Sequence, residues 1–365
     1  MELEGISDFS RIVARCEECL HMRNHDRPLL HLWSPAPGAP PTLPPSPADI
    51  RERWFNFDWR LDCHKAFLMA TEYHAEGFPS FFCNLGPDVI AAFLGAELSF
   101  AQDTSWAHPF VHDWEALPSL RFDAENPFWK AMENFLRLAT EHGRGKWITQ
   151  TGDLHSGADA LSALRGPEEL CMDIIENPAE IAKRLDECHE VWLEVVQRHC
   201  KIILPATEGL TTSWIPLAVH GRYAVLQNDF SCLVSGNVFD SMFAGVLRRE
   251  AQALDWAVYH WDGPDAIRHM DSICALPEIR AIQWVPGAGQ PPMAQWIDLL
   301  HKVQARGKGL TLFCEAGEVI PLTEELRPEG LMLFAGANDG DEARTLIKEV
   351  ERICRRKRNP SVAMP

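Results

Sequence analysis

Apolar residues recur along this chain with two different periods. Over residues 1–27 they fall at helical spacing, with Phe9, Ile12, Val13, Cys16 and Leu20 on one face, which predicts an amphipathic helix. The apolar run 28–33 has strand length and is followed by Pro35, Pro37, Pro40, Pro41, Pro44, Pro45 and Pro47. Such a stretch can be neither helix nor central strand and reads as an extended surface loop. Beyond it, short apolar runs alternate with longer amphipathic ones. Strands are expected at 80–85, 146–151, 208–213, 224–228, 256–260, 280–284 and 310–314. Helices are expected at roughly 59–75, 87–94, 126–142, 178–202, 236–253, 264–275, 291–306 and 341–357. With the run at Leu29 this makes eight strands, and 331–334 is a ninth.

Strands alternating with helices predict right-handed βαβ units and a parallel sheet. No Gly/Ser linker divides the 365 residues, and no repeat is visible. The expected fold is therefore a single α/β domain, a (β/α)8 TIM barrel over residues 29–358, with an N-terminal helical extension at 1–28 and a tail at 359–365. Neither G-x-G-x-x-G nor G-x-x-x-x-G-K-[ST] occurs at the early strand–helix turns, so no nucleotide cofactor is expected.

Composition narrows the partners. Lys plus Arg number 34 against 52 Asp plus Glu, a formal charge of −18. Such a surface repels phosphate backbones and anionic lipid headgroups, so neither nucleic acid nor membrane is expected as a partner. The acidic start Met1-Glu2-Leu3-Glu4 lacks the pattern of a signal peptide, and the 11 cysteines are irregularly spaced. Together these predict a cytoplasmic protein whose cysteines are reduced and mostly buried. There are 13 Trp against only 3 Tyr, which hints at an aromatic-lined cavity.

In a barrel the chemistry lies at the carboxyl ends of the strands. That rule selects Asn84, Asp153 with His155, Trp214, Asp229, His260 with Asp262, Gln283 with Trp284, and Cys314 with Glu315. Asp262 precedes Gly263-Pro264 and a predicted helix, so capping that helix is as good a reading as catalysis.

The segment Trp256-Ala-Val-Tyr-His-Trp-Asp-Gly-Pro-Asp, followed by Ala281-Ile-Gln-Trp-Val-Pro-Gly, resembles the uroporphyrinogen decarboxylase-like superfamily. That group holds the decarboxylase, corrinoid-linked zinc methyltransferases and the cobalamin-independent methionine synthase barrel. Phe81-Phe-Cys-Asn-Leu-Gly-Pro, Thr151-Gly-Asp-Leu-His-Ser-Gly and Leu226-Gln-Asn-Asp-Phe-Ser support the likeness, which spans most of the chain from about residue 28. It implies a barrel enzyme with its cavity at the strand carboxyl ends. The decarboxylase holds its carboxylate-rich substrate with an arginine-containing stretch after the first strand. Here that stretch reads Leu30-His-Leu-Trp-Ser-Pro, which argues against that activity. The methyltransferases carry His-x-Cys-Gly and a distant Cys as zinc ligands. This chain has His260-Trp-Asp262-Gly263 there, and a zinc site of His260, Asp262 and Cys314 is the set the resemblance leaves.

The expected function is methyl transfer from a small methylated substrate, with any corrinoid delivered by a partner protein. His260 and Asp262 would be metal ligands or an acid/base pair, and Asp229 a polar anchor or proton acceptor. Asn84, Trp106, Asp153, Trp214, Gln283, Trp284 and Glu315 would contact substrate. Trp33 and Trp261 join Trp106, Trp214 and Trp284 in a stacking wall. The alternatives are a metal-free decarboxylase or lyase, and a barrel that binds a ligand without turnover. A homodimer is expected from the resemblance alone.

Two motifs invite over-reading. Cys16-x-x-Cys19-x-His21-x-x-x-His25 has one residue between its Cys and His pairs, too few for a zinc finger, so these are expected to be core or helix-contact residues. Asp153-x-His155-Ser-Gly157 resembles a cobalamin lower-ligand signature but is one residue short, leaving His155 to line the cavity or brace its loop.

Overall fold

The computed structural model describes residues 1–38 and 40–359 and is a mixed α/β structure. Residues 360–365 of the expected tail lie outside that description. Its strands are β1 (Leu29–Pro35), β2 (Thr71–Ala75), β3 (Ser80–Phe82), β4 (Leu98–Phe100), β5 (Ser105–Ala107), β6 (Ile148–Gln150), β7 (Leu210–Thr211) and β8 (Val219–His220). They continue with β9 (Tyr223–Leu226), β10 (Trp256–Asp262), β11 (Ile279–Val285), β12 (Gly309–Phe313) and β13 (Leu331–Gly336).

Seven strands form one sheet in the order β2-β1-β13-β12-β11-β10-β9, parallel throughout except for β2, which runs antiparallel to β1 at the edge. β3 and β6 pair in parallel as a separate ladder. One backbone bond, from Thr151 N–H to Thr212 O at 2.9 Å, ties the end of β6 to the segment after β7. Among the described residues the hydrogen-bonded ladder is thus open between β9 and β6 and between β3 and β2.

Three sequence expectations change. The run at 331–334 is no supernumerary strand: Leu29 to Trp33 pair residue for residue with Met332 to Gly336, placing β13 beside β1. The expected strand 208–213 shrinks to two residues in a hairpin with β8. The expected helix 59–75 stops at Met69, and Thr71–Ala75 turns back as β2. Thr71, Tyr73 and the following Gly77 favour that return over continued helix. Gly77 is required there, since a Cβ on it would meet Leu32 O at 2.3 Å.

Strand alternation divides the sheet's two faces. Leu30, Leu32, Leu226, Tyr259, Trp261, Ile282, Trp284, Leu310, Leu312 and Leu333 point into the larger core under the helices. Leu29, Tyr223, Val225, Val258, Ala281, Met332 and Phe334 point the other way into a smaller core. That second core is closed by helix α1 (Phe9–Leu20) and by the Ile215–Val219 stretch of the β7–β8 hairpin. α1 buries Phe9, Ile12, Val13, Cys16, Cys19 and Leu20, and Asp8 caps its amino end by accepting Arg11 N–H. The short helix therefore covers 9–20 within the expected 1–27, and Cys16 and Cys19 are buried, with the Cys16 thiol pushed up to about 12 by burial. A buried bidentate pair, Arg27 to Glu76 at 2.6 and 2.8 Å, joins this segment to the chain after β2, and Glu76 also accepts Leu30 N–H.

Candidate functional site

The inward face of the sheet is apolar towards the amino ends of its strands and becomes polar at the carboxyl ends. On β10, Val258 lies in the inner core, and the same face then presents His260 and Asp262. Register sets Gln283 of β11 beside His260, and Thr311 of β12 beside Gln283. His260 Nδ1 lies 2.6 Å from Gln283 Oε1. An amide oxygen can only accept, so Nδ1 carries the hydrogen and Nε2 is the ring atom left to face a ligand. The Trp214 ring meets the imidazole edge-on at 5.1 Å.

Asp229, just after β9, completes the group: one ligand atom from each of Asp229, His260 and Asp262 lies within 4.8 Å of the others. Asp229 also belongs to a second such trio with His155 and Asp159. Asp159 sits in the first turn of the helix Gly157–Arg165, and its carboxylate accepts the backbone N–H of Asp229 at 3.0 Å and of Phe230 at 2.7 Å. Asp153 lies 3.5 Å from His155 Nε2 and accepts a hydrogen bond from Gln227 at 2.9 Å. Four carboxylates and two imidazoles therefore converge where β6, β9 and β10 end.

The electrostatics follow from this crowding. Burial lowers the proton affinity of His155, but Asp153, its hydrogen bond, Asp159 and Asp229 outweigh that and raise its pKa to about 10. Burial and the neighbouring Asp229 charge push Asp159 up to about 7, against the pull of His155 and the two backbone donors. Burial raises Asp153 as well, yet His155 and Gln227 hold it below its ordinary value. Asp262 is raised, first by burial and then by Asp229. The arrangement stores protons close to an oriented imidazole, which suits general acid–base work or the binding of a cation.

The expected site residues divide clearly. His260, Asp262, Asp229, Asp153, Gln283 and Trp214 come together. Asp262 does not cap the next helical turn: Gly263 holds that position with no side-chain cap, and Asp262 Oδ1 is buried without a partner. Trp284 and Trp261 are corrections to the substrate wall. Both are buried under the helices, ring centroids 4.9 Å apart, because odd and even positions of a strand face opposite ways. The same parity turns Cys314 away: it follows Leu310 and Leu312 into the larger core, and burial pushes its thiol up to about 12. The zinc set with Cys314 is thus not assembled, and Asp229 stands as the third donor. Glu315 is exposed and gives its backbone N–H to Glu318 Oε2. Trp106 is 46% exposed on the β4–β5 hairpin, and Trp33 packs beside His31 on the inner face. Asn84 uses Oδ1 to accept Gly86 N–H, bracing its own turn.

Sequence reasoning missed Asp159 and undervalued His155. The signal was their i, i+4 spacing across the start of a helix, which sets both on one face. No helix was expected at 157–165. A groove of about 770 Å³ near Lys65, Tyr73, His74, Lys146 and Arg344 includes none of these clustered residues.

No family model matches the chain, and no curated protein matches it. Among solved structures it is similar to a methyltransferase from Methanosarcina mazei, with a TM-score of 0.51 and 11% identity over 74% of this chain and 80% of that one. A second match is the homocysteine methyltransferase MmuM from Escherichia coli in its apo form, at 12% identity over 64% of this chain and 90% of that one, with a TM-score of 0.28. At such identities the first likeness speaks to the fold, and the second is too loose to add to it. Among the described residues no helix is long and apolar enough to cross a membrane.

Proposed function

We propose that this chain is a barrel enzyme of the uroporphyrinogen decarboxylase-like superfamily that transfers a methyl group from a small methylated substrate. The reading rests on one observation: an imidazole, oriented by Gln283, faces Asp229 and Asp262 at the carboxyl ends of neighbouring parallel strands. The fold likeness to a methyltransferase supports it. Barrel closure through β3 and β6 belongs to this proposal, as do an acceptor corrinoid carried by a partner protein and a homodimeric state.

Asp229, His260 and Asp262 offer two carboxylates and one ring nitrogen, a donor set that fits a divalent ion, and the partnerless Asp262 Oδ1 suits a ligand position. Such an ion, when bound, would supply Lewis acidity to a substrate heteroatom. The chain's own residues do the rest. Gln283 fixes the His260 ring, and Trp214 backs it. Asp159 holds the turn carrying Asp229, and His155 with Asp159 keeps a proton near the atom that loses the methyl group.

A metal-free decarboxylase or lyase is the second reading, favoured by Asp159 and His155, whose raised proton affinities would serve acid–base chemistry without an ion. The experiment incubates purified protein, as isolated and after chelation, with cob(I)alamin and a panel of methanol, methylamines and methylated thiols. Methylcobalamin formation by the wild type, lost at least about 100-fold in His260→Ala and sensitive to chelation, is expected. Absence of methylation across the panel, or full activity in His260→Ala, would overturn the proposal; activity that survives chelation would remove the ion.

A further inference from the structure

A second feature lies at the same end of the strands, outside the cluster just described. Helices α2 (Ile50–Phe55) and α3 (Phe57–Met69) follow the proline-rich loop and bring two arginines to one small cavity. It has a volume of about 140 Å³ and is lined by Arg53, Trp54, Trp59, Arg60, Asn84 and, from the β4–β5 turn, Asp103 and Gln102. A volume of that size holds a few water molecules or one small oxyanion group.

Arg60 is half-buried there, and among the described residues no carboxylate lies within ion-pair distance of it. Burial is what lowers its pKa to about 10, with the nearby Cys83 acting in the opposite direction. One face of the guanidinium stacks on Phe135 at 4.5 Å, and Trp54 stands 5.7 Å away. Nη1 donates to the backbone oxygens of Trp54 and Asn84 at 3.2 and 2.7 Å. The Nε–Nη2 edge has no acceptor among the described residues. Arg53 rests on the Trp59 ring at 5.7 Å, and its Nε is buried without a partner. Neither arginine has an ion-pair partner among the described residues, although the chain carries a formal charge of −18. Burying an unpaired cation is unfavourable, and the side-on Nε–Nη2 edge is the one that matches a carboxylate in a two-point bond.

We infer that this cavity is a carboxylate-binding pocket, with Arg60 as the two-point anchor, Arg53 as a second cation, and Trp54 and Trp59 flanking the carbon skeleton. Asp103 on the lining favours a monoanion over doubly charged phosphate. The pocket is independent of the chemistry proposed at Asp229 and His260, and it names an acidic function on whatever ligand enters this mouth.

The test is calorimetric titration of the full chain with acetate, benzoate and succinate at matched ionic strength, with chloride and phosphate as controls. At least one carboxylate is expected to bind and to raise the melting temperature, while chloride does neither. Arg60→Gln should weaken binding tenfold or more, Arg60→Lys by an intermediate factor, and Arg53→Gln measurably. His260→Ala should bind as the wild type does, which separates this pocket from the reaction proposed above. If Arg60→Gln does not fold, the Arg60→Lys and Arg53→Gln titrations decide. Equal binding by wild type and the arginine variants, no carboxylate binding, or tighter binding of phosphate would each overturn the assignment.

Discussion

Replacing His155 by Gln isolates the electrostatic centre of the site. The imidazole is held among Asp153, Asp159 and Asp229, and its pKa stands at about 10 in the folded chain, against 6.5 when exposed. Below pH 6.5 it is charged in both folded and unfolded chains, so its attraction to the three carboxylates contributes fully to stability. As pH rises from 6.5 to 10 the unfolded chain has already released that proton, and the contribution fades. At about 1.4 kcal/mol per pKa unit the full effect is about 4–5 kcal/mol. Relaxation of the carboxylates, above all proton uptake by Asp159, should reduce it to roughly 2–4 kcal/mol. Gln has similar reach and can still donate to Asp153, so the variant loses charge rather than shape. Urea denaturation of EDTA-treated wild type and His155→Gln at pH 6, 8 and 10 gives the measurement. The wild type should be more stable by that amount at pH 6, and the difference should shrink towards zero at pH 10. A difference that is constant over this range, or that grows with pH, would refute the account of the cluster.

Three further predictions bear on how the residues are placed. Trp284→Ala should destabilise the fold by about 3–5 kcal/mol in denaturant, since a fully buried ring leaves a cavity among Trp261 and Trp296, while ligand affinity changes little. Arg27→Ala strands Glu76 in the interior and should cost about 3–5 kcal/mol by the same measurement, more than the double replacement of both residues by apolar ones. Zinc titration followed by calorimetry should weaken at least tenfold in Asp262→Asn and Asp229→Asn but stay unchanged in Cys314→Ser, because only the first two face His260.

Much of the fold was legible because parallel strands buried on both faces write short, dense apolar runs. Eight of the nine expected runs lie in paired strands of the parallel ladders, and the described residues of the proline-rich stretch after β1 carry no regular structure up to Asp49. Hairpins and edges were harder. Thr71–Ala75 continues a helical spacing of apolar residues, and its β-favouring residues take effect through pairing with β1. The site was legible where a polar residue interrupts an apolar strand near its carboxyl end, as His260 and Gln283 do. Trp284, Trp261 and Cys314 look identical by that criterion, yet one residue of offset turns them to the opposite face. Asp159 was hidden because it lies on a helix, four residues after His155, and its role exists only through the β9 turn that it holds.

Local order along this chain decided which segments are helix and strand, that the elements alternate, and that several titratable groups would collect at strand ends. Those properties depend on neighbours a few residues apart, which a linear reading contains. The composition of the cluster depended on register: Gln283 reaches His260 because β10 and β11 align those residues, and Asp229 meets both trios because β9 ends beside β10 and the helix after β6. Register is set by contacts between residues up to hundreds of positions apart, and a one-residue slip exchanges the two faces of a strand. The third dimension therefore chose Asp229 over Cys314, and it left Arg60 facing a cavity with no ion-pair partner among the described residues.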